Sequence, residues 1–164
     1  MQVFVPYPDI EKSVQCLDDR RLFKQALEAI QLLGVILDLP KADGTKRTGW
    51  RNHPATLQWS RWPGALYRYT EAALREAERR GMKTDGLRTL LARIPKPRDR
   101  KLPSWWGDEK VHSSHRARLL QKDFEFYSRY KWPEAKAKDL WEREYWWAIP
   151  EGSGYRLEQR KGKR

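Results

Sequence analysis

The chain has 164 residues and carries 34 Lys and Arg against 22 Asp and Glu, a formal charge of +12. That length fits one domain with a real core, and the charge favours a polyanionic partner, because each phosphate met by Lys or Arg releases a counterion. No apolar run approaches the ~18 residues of a spanning helix, no signal-peptide pattern opens the chain, and the single Cys16 cannot form an internal disulfide, so a soluble cytoplasmic monomer with no membrane contact is expected.

Residues 1–8 read as an extended arm, because Pro6 and Pro8 oppose a helix start. Asp9 suits the N-cap of a short helix over 10–15. A long helix follows over 17–37, with Phe23, Ala26, Leu27, Ile30, Leu33 and Leu37 as its apolar stripe, and Pro40 stops it. Residues 41–53 (KADGTKRTGWRNH) form a basic loop. Pro54 opens a second helix to residue 80, with a break expected at Pro63-Gly64. Its buried stripe is Leu57, Leu66, Tyr69, Ala73 and Ala77, and Gly81 is its C-cap. A short helix over 86–94 precedes a basic proline-containing stretch, 95–103. Further helix is expected over 108–121, another turn or two over 123–130, and a last amphipathic piece over 134–147. From Gly152 the chain reads as a flexible basic tail able to touch phosphates. Outside residues 3–5 hardly any run alternates as a strand would. The fold class is therefore all-α: one compact helical domain, 1–150, with an extended N-terminal arm and a basic tail, 151–164.

Three constellations stand out. On a helix, Asp18, Arg21, Gln25 and Glu28 share one polar stripe with Lys24 at its edge. That mix of acid, base and amide suits a site that grips phosphate and moves protons. The plainer reading is a solvated salt-bridge ladder, Asp18 to Arg21 and Lys24 to Glu28, at about 0.3–0.5 kcal/mol a pair. The second constellation gathers Arg47, Trp50, Arg51, Asn52 and His53 immediately before Pro54. There Asn can read a base edge, Arg can clamp a phosphate and Trp can stack, or Asn or His merely caps the helix. The third, PSWWGDEKVHSSHRARLLQKD, holds Trp105, Trp106, Asp108, His112, His115 and Arg116. Asp108, His112 and His115 at helical spacing could ligate a metal, but the two histidines equally suit phosphate, a flipped base or an ordinary helix face. No Walker loop, dinucleotide fingerprint, CxxC pair or nucleophile elbow occurs, so phosphoryl transfer, redox and serine-hydrolase chemistry lose support, and no cofactor is expected.

The motifs LDDRRLFKQALEA (17–29), TGWRNHPA (48–55), ERRGM (78–82) and PSWWGDEKVHSSHRARLLQKD (103–123) resemble the pyrimidine-dimer DNA glycosylases of the endonuclease V type, most closely their bacterial and phage branch. Similarity to the better-known glycosylase rests on Arg21, on Pro54 with the following helix, and on Glu109, Ala117, Arg118 and Leu119. The resemblance implies a helical enzyme that kinks double-stranded DNA at a lesion, flips a nucleotide and cuts the glycosidic bond. It also implies an N-terminal amine, freed by loss of the initiator Met, that attacks the sugar C1′ and forms a Schiff base from which β-elimination proceeds. A helix Glu, just after the Arg matched by Arg21, stabilises the developing charge. This chain departs from that pattern twice: Gln2 is bulky, so retention of Met1 is expected, and Leu22 stands where the Glu would be.

Base excision still needs a carboxylate, and the stripe offers Glu28 or Asp18. A lyase step needs an amine, from a desolvated Lys24 beside Arg21 or from Met1. Arg20, Arg21, Gln25, Arg47, Arg51, Asn52, His53, His112, His115 and Arg116 are the expected DNA contacts, with Trp50 or Trp106 stacking on the extruded base or filling its gap. The competing readings are a non-catalytic binder of distorted or modified DNA, and a metal-dependent nuclease built on Asp108, His112 and His115.

Overall fold

A computed structural model describes residues 1–160, and residues 161–164 of the expected tail lie outside it. The arm is extended as its prolines require, but it is not on the surface: Gln2, Val3, Phe4 and Val5 are all buried. Helix α1 (Ile10–Gln15) starts where the Asp9 carboxylate accepts from the Lys12 N–H at 2.8 Å. Helix α2 (Asp19–Ile36) is capped by Asp18, which accepts from the Arg21 N–H at 3.1 Å. Past its C-cap, Leu37, the chain turns away at Asp38, which takes a left-handed φ of 54°. The buried face of α2 runs through Leu22, Gln25, Ala26, Ala29, Leu32 and Leu33. The expected stripe is thus rotated by about one residue, and Phe23, 37% exposed, is left outside.

The second long helix is two helices. In α3 (Pro54–Trp59) the cap is His53, and α4 (Pro63–Arg79) restarts with its proline in the first turn. Gly81 follows α4 at φ 79°, where its N–H and that of Met82 reach back to the carbonyls of Glu78 and Ala77. Helix α2 packs along α4, and α1 crosses α4 as well. Arg80 at the end of α4 ties that packing to the α1–α2 junction through the Leu17 and Gln15 carbonyls, at 2.7 and 2.9 Å. Helices α5 (Asp85–Ala92), α6 (Glu109–Lys122) and α7 (Phe124–Tyr127) complete the helical set.

Beyond α7 the chain makes a 3-10 turn at Ser128–Tyr130, and the expected amphipathic helix over 134–147 is replaced by two more, at Pro133–Lys136 and Leu140–Glu142. A hairpin follows, β1 (Trp146–Glu151) pairing antiparallel with β2 (Gly154–Gln159) in the register Trp146↔Gln159 to Glu151↔Gly154. The all-α expectation is corrected to a mainly helical fold with one small two-stranded sheet. The stretch from Gly154 to Gln159, expected to be part of a flexible tail, is instead a strand. Its cause is local: β1 buries Trp147, Ala148 and Ile149, and across from it Tyr155 and Leu157 pack against the core.

Candidate active site

Among the described residues no strand pairs with the arm, yet side chains engage most of its backbone polar groups. Gln25 of α2 acts as a second peptide group, its Oε1 accepting from the Phe4 N–H at 2.6 Å and its Nε2 donating to the Gln2 carbonyl at 2.8 Å. Tyr69 of α4 donates to the Phe4 carbonyl at 2.8 Å. From α6, His115 Nδ1 accepts from the Val5 N–H at 2.9 Å, His112 Nδ1 donates to the Val5 carbonyl at 2.6 Å, and Arg116 donates to the Pro6 carbonyl at 2.8 Å. The head of the arm is thereby set against Glu28, whose Oε2 accepts from the Gln2 N–H at 3.2 Å.

A cavity of about 420 Å³ opens at that point, lined by Met1, Gln2, Phe4, Gln25, Glu28 and Tyr145 and walled by Arg20, Arg21, Lys24, Arg118 and Lys122. Five cations thus surround one carboxylate, an arrangement suited to a phosphate-flanked substrate. Glu28 is the recessed member, with 12% of its side chain exposed; Lys24, 3.6 Å away, keeps 68% exposed. The expectation of a desolvated Lys24 is therefore not met: the lysine reaches into solvent and pairs with the acid. Arg118 lies 4.9 Å over the Tyr145 ring and donates to Glu144 at 2.9 Å. Lys122 is held below its ordinary pKa by partial desolvation and by Arg21, Arg118 and Lys24. Arg118 and Lys122 went unassigned in the sequence, although their i,i+4 spacing in RARLLQK places them on one face of a helix.

Asp18 occupies a different place from Glu28. Its carboxylate caps α2, takes the Arg21 guanidinium at 2.8 Å and receives the Tyr127 hydroxyl, and it does not line the cavity. Burial works to raise its pKa, but the hydrogen bonds from Tyr127 and Arg21 outweigh that and hold it low. The assignment of Asp18 to catalysis is thus replaced by a structural one. Gln25, expected on DNA, holds the arm.

The loop before Pro54 approaches the same region. His53 Nδ1 accepts from the Ala55 N–H at 3.1 Å, so in the neutral ring the proton sits on Nε2. Its pKa is lowered by burial, then by the charge of the N-terminal amine and of Arg160. Trp50 packs on His53 with centroids 4.8 Å apart, and His53 meets Trp147, which meets Tyr145 of the cavity wall. Trp50 is 51% exposed and held at φ 68°, a conformation that a bulky residue rarely adopts without cause. Asn52 is exposed beside it. Arg51 pairs with Asp38, and Arg47 lies against Gly34, where a Cβ would come within 2.6 Å of its Nε.

The third constellation is corrected throughout. His112, His115 and Arg116 are buried and face the arm, not solvent. Both nitrogens of His112 are engaged, by the Val5 carbonyl and the Gly107 N–H. Those of His115 face the Val5 N–H and, at 3.2 Å, the Gln2 amide. Asp108 caps α6 and accepts from Tyr155 at 2.8 Å. Among the described residues no three metal-ligating side chains converge, and the set proposed for a nuclease metal is spent on structure. Trp106 packs among Trp59, Trp105 and His112 and lines a different concavity, with Arg68 and Arg100, remote from the duty of stacking on a flipped base. A larger concavity, about 880 Å³, borders α6 and is lined by Glu109, Asp139, Glu142 and Glu144 against Lys110 and Arg143, a balance less suited to phosphate than the five cations around Glu28.

No described helix is long and apolar enough to cross a membrane. A family model described as pyrimidine dimer DNA glycosylase matches residues 1–89, from the arm into α5. That span holds Met1, Glu28, Lys24 and the Trp50 loop, and leaves Arg118 and Lys122 outside. No curated protein and no solved structure matches the chain.

Proposed function

The chain belongs to the pyrimidine dimer DNA glycosylase family, and from that premise we propose that it excises a damaged or modified pyrimidine from double-stranded DNA with an amine at the head of the arm as nucleophile and Glu28 as the assisting carboxylate. The observation that carries this reading is the contact of Glu28 with the first peptide N–H of the arm, 3.2 Å, in a cavity that Met1 also lines. Glu28 stands six residues further along α2 than Leu22, the position where the resemblance expects a Glu, yet on the same stripe as Arg21.

In this scheme the cationic wall seats the phosphates on either side of a flipped nucleotide, and Trp50 at the rim stacks on the base or fills the gap it leaves. The neutral amine attacks C1′ while the bond from C1′ to the pyrimidine nitrogen breaks and the base departs. Glu28 stabilises the positive charge that gathers on the sugar and takes the proton the amine gives up. Ring opening yields an imine. Loss of a proton from C2′ then expels the 3′ phosphate, the AP-lyase step, and water releases the amine.

The test is a single-turnover assay on ultraviolet-irradiated and modified-base duplexes. Glu28→Gln should lower base release by at least about a hundredfold with duplex affinity held within about threefold. Wild-type rates in Glu28→Gln would remove Glu28 from the chemistry. Tight binding by the wild type with no cutting of any duplex would make the chain a reader of distorted DNA instead.

A further inference from the structure

We infer that His115, His112 and Gln25 are positioning residues for the nucleophilic amine: together they hold the arm's backbone so that its head stays against Glu28. This rests on the amine reading above. An extended segment in a protein interior must find partners for every N–H and C=O. Here most of those partners are side chains, one from α2, one from α4 and three from α6, gathered on Gln2, Phe4, Val5 and Pro6 close behind the amine. Elements distant in sequence thus converge on the one segment whose placement decides where the amine stands. A displacement of about 1 Å in a reacting group can cost about a hundredfold in rate.

The choice of histidine has a chemical reason. At Val5 the segment needs an acceptor for its N–H and a donor for its carbonyl, and neutral imidazoles supply both. His115 can accept only while Nδ1 is unprotonated; a second proton would set two donors face to face. The groups around His115 are His112 and Arg116 on its own helix, the Phe4 and Tyr145 rings, and the Gln2 amide, beyond which lies Glu28. Around His112 stand Asp108, Glu109 and Arg116, with the Trp106 ring. Burial keeps both rings neutral, His115 most firmly, with the positive charge of Arg116 acting in the same direction. A base whose folded pKa is depressed favours the folded arrangement above its ordinary value of about 6.5, and that advantage is lost as the pH falls below it. The arm should therefore loosen in acid.

The experiment traps the imine with borohydride on a duplex bearing an abasic site, using the full chain, and follows hydrogen exchange at the Val3 to Val5 amides in the same proteins. His115→Leu and Gln25→Leu should slow trapping by roughly 30- to 100-fold with duplex affinity within about threefold, and speed exchange at the arm. His115→Asn, which offers a non-titrating acceptor near the place of Nδ1, should restore trapping at neutral pH and flatten the decline seen in the wild type below about pH 6. Wild-type trapping in Gln25→Leu and His115→Leu, or an unchanged acid decline in His115→Asn, overturns the assignment. If the wild type forms no adduct, the amine reading fails by itself. Exchange then still decides whether these side chains hold the arm: unaltered exchange in Gln25→Leu overturns it, whether or not His115→Leu folds.

Discussion

Asp18 and Glu28 lie on one stripe of α2, and only their neighbours separate their duties. Asp18 is committed three times over, to the Arg21 backbone and guanidinium and to Tyr127. Glu28 keeps one oxygen on the arm and the other beside the exposed Lys24 ammonium at the cavity. Helical spacing made the stripe and both ion pairs legible, but the sequence carries no sign that residues 2–5 are buried against it. Nothing in the sequence distinguished the capping acid from the cavity acid for that reason. Asp18→Asn should cost about 1–2 kcal/mol of stability in denaturant titration while base release stays within about threefold of wild type. Its carboxyl is held below the ordinary value, so its stabilising effect is complete above about pH 4 and lost as the pH drops further; Asp18→Asn should lack that part of the acid dependence.

The elements were legible wherever a cap or a proline marks them. Asp9 opens α1 as read and Pro63 reopens the broken helix, whereas Asp18 and Asp108, read as site residues, turn out to cap α2 and α6. What escaped was the hairpin, because the apolar run WWAIP has no helix–strand signature of its own and the alternation of YRLEQ is short. His112 and His115 were legible as a pair on one face, but their target, a strand-like arm more than a hundred residues away, was not. One element-level contact was invisible for the same reason. At Gly64, in the first turn of α4, a Cβ would stand 1.7 Å from the Asp99 carbonyl oxygen, so the basic stretch before α6 can lie on α4 only if that residue is glycine. Gly64→Ala should cost about 1–3 kcal/mol, seen in a denaturation midpoint, and loosen residues 95–103 in hydrogen exchange before the rest of the protein.

Across the whole molecule, the charge of +12 is organised as well as large. Acids collect around the concavity beside α6, whereas Arg20, Arg21, Lys24, Arg118 and Lys122 from two helices converge on the head of the arm. The family match covers α2 and the arm but stops before α6, so two of the five cations of that wall, Arg118 and Lys122, come from the part of the chain the match leaves out. The structure thus unites an acid, a candidate amine and a cluster of five cations from segments that are separate in sequence. The most direct measurement is to reduce the trapped protein–DNA adduct, digest it and locate the sugar remnant by mass spectrometry. The remnant should sit on the α-amine of the N-terminal peptide and be absent from Glu28→Gln. A remnant on Lys24 or Lys122, or base release with no remnant on any amine, would contradict the placement of the reaction at the head of the arm.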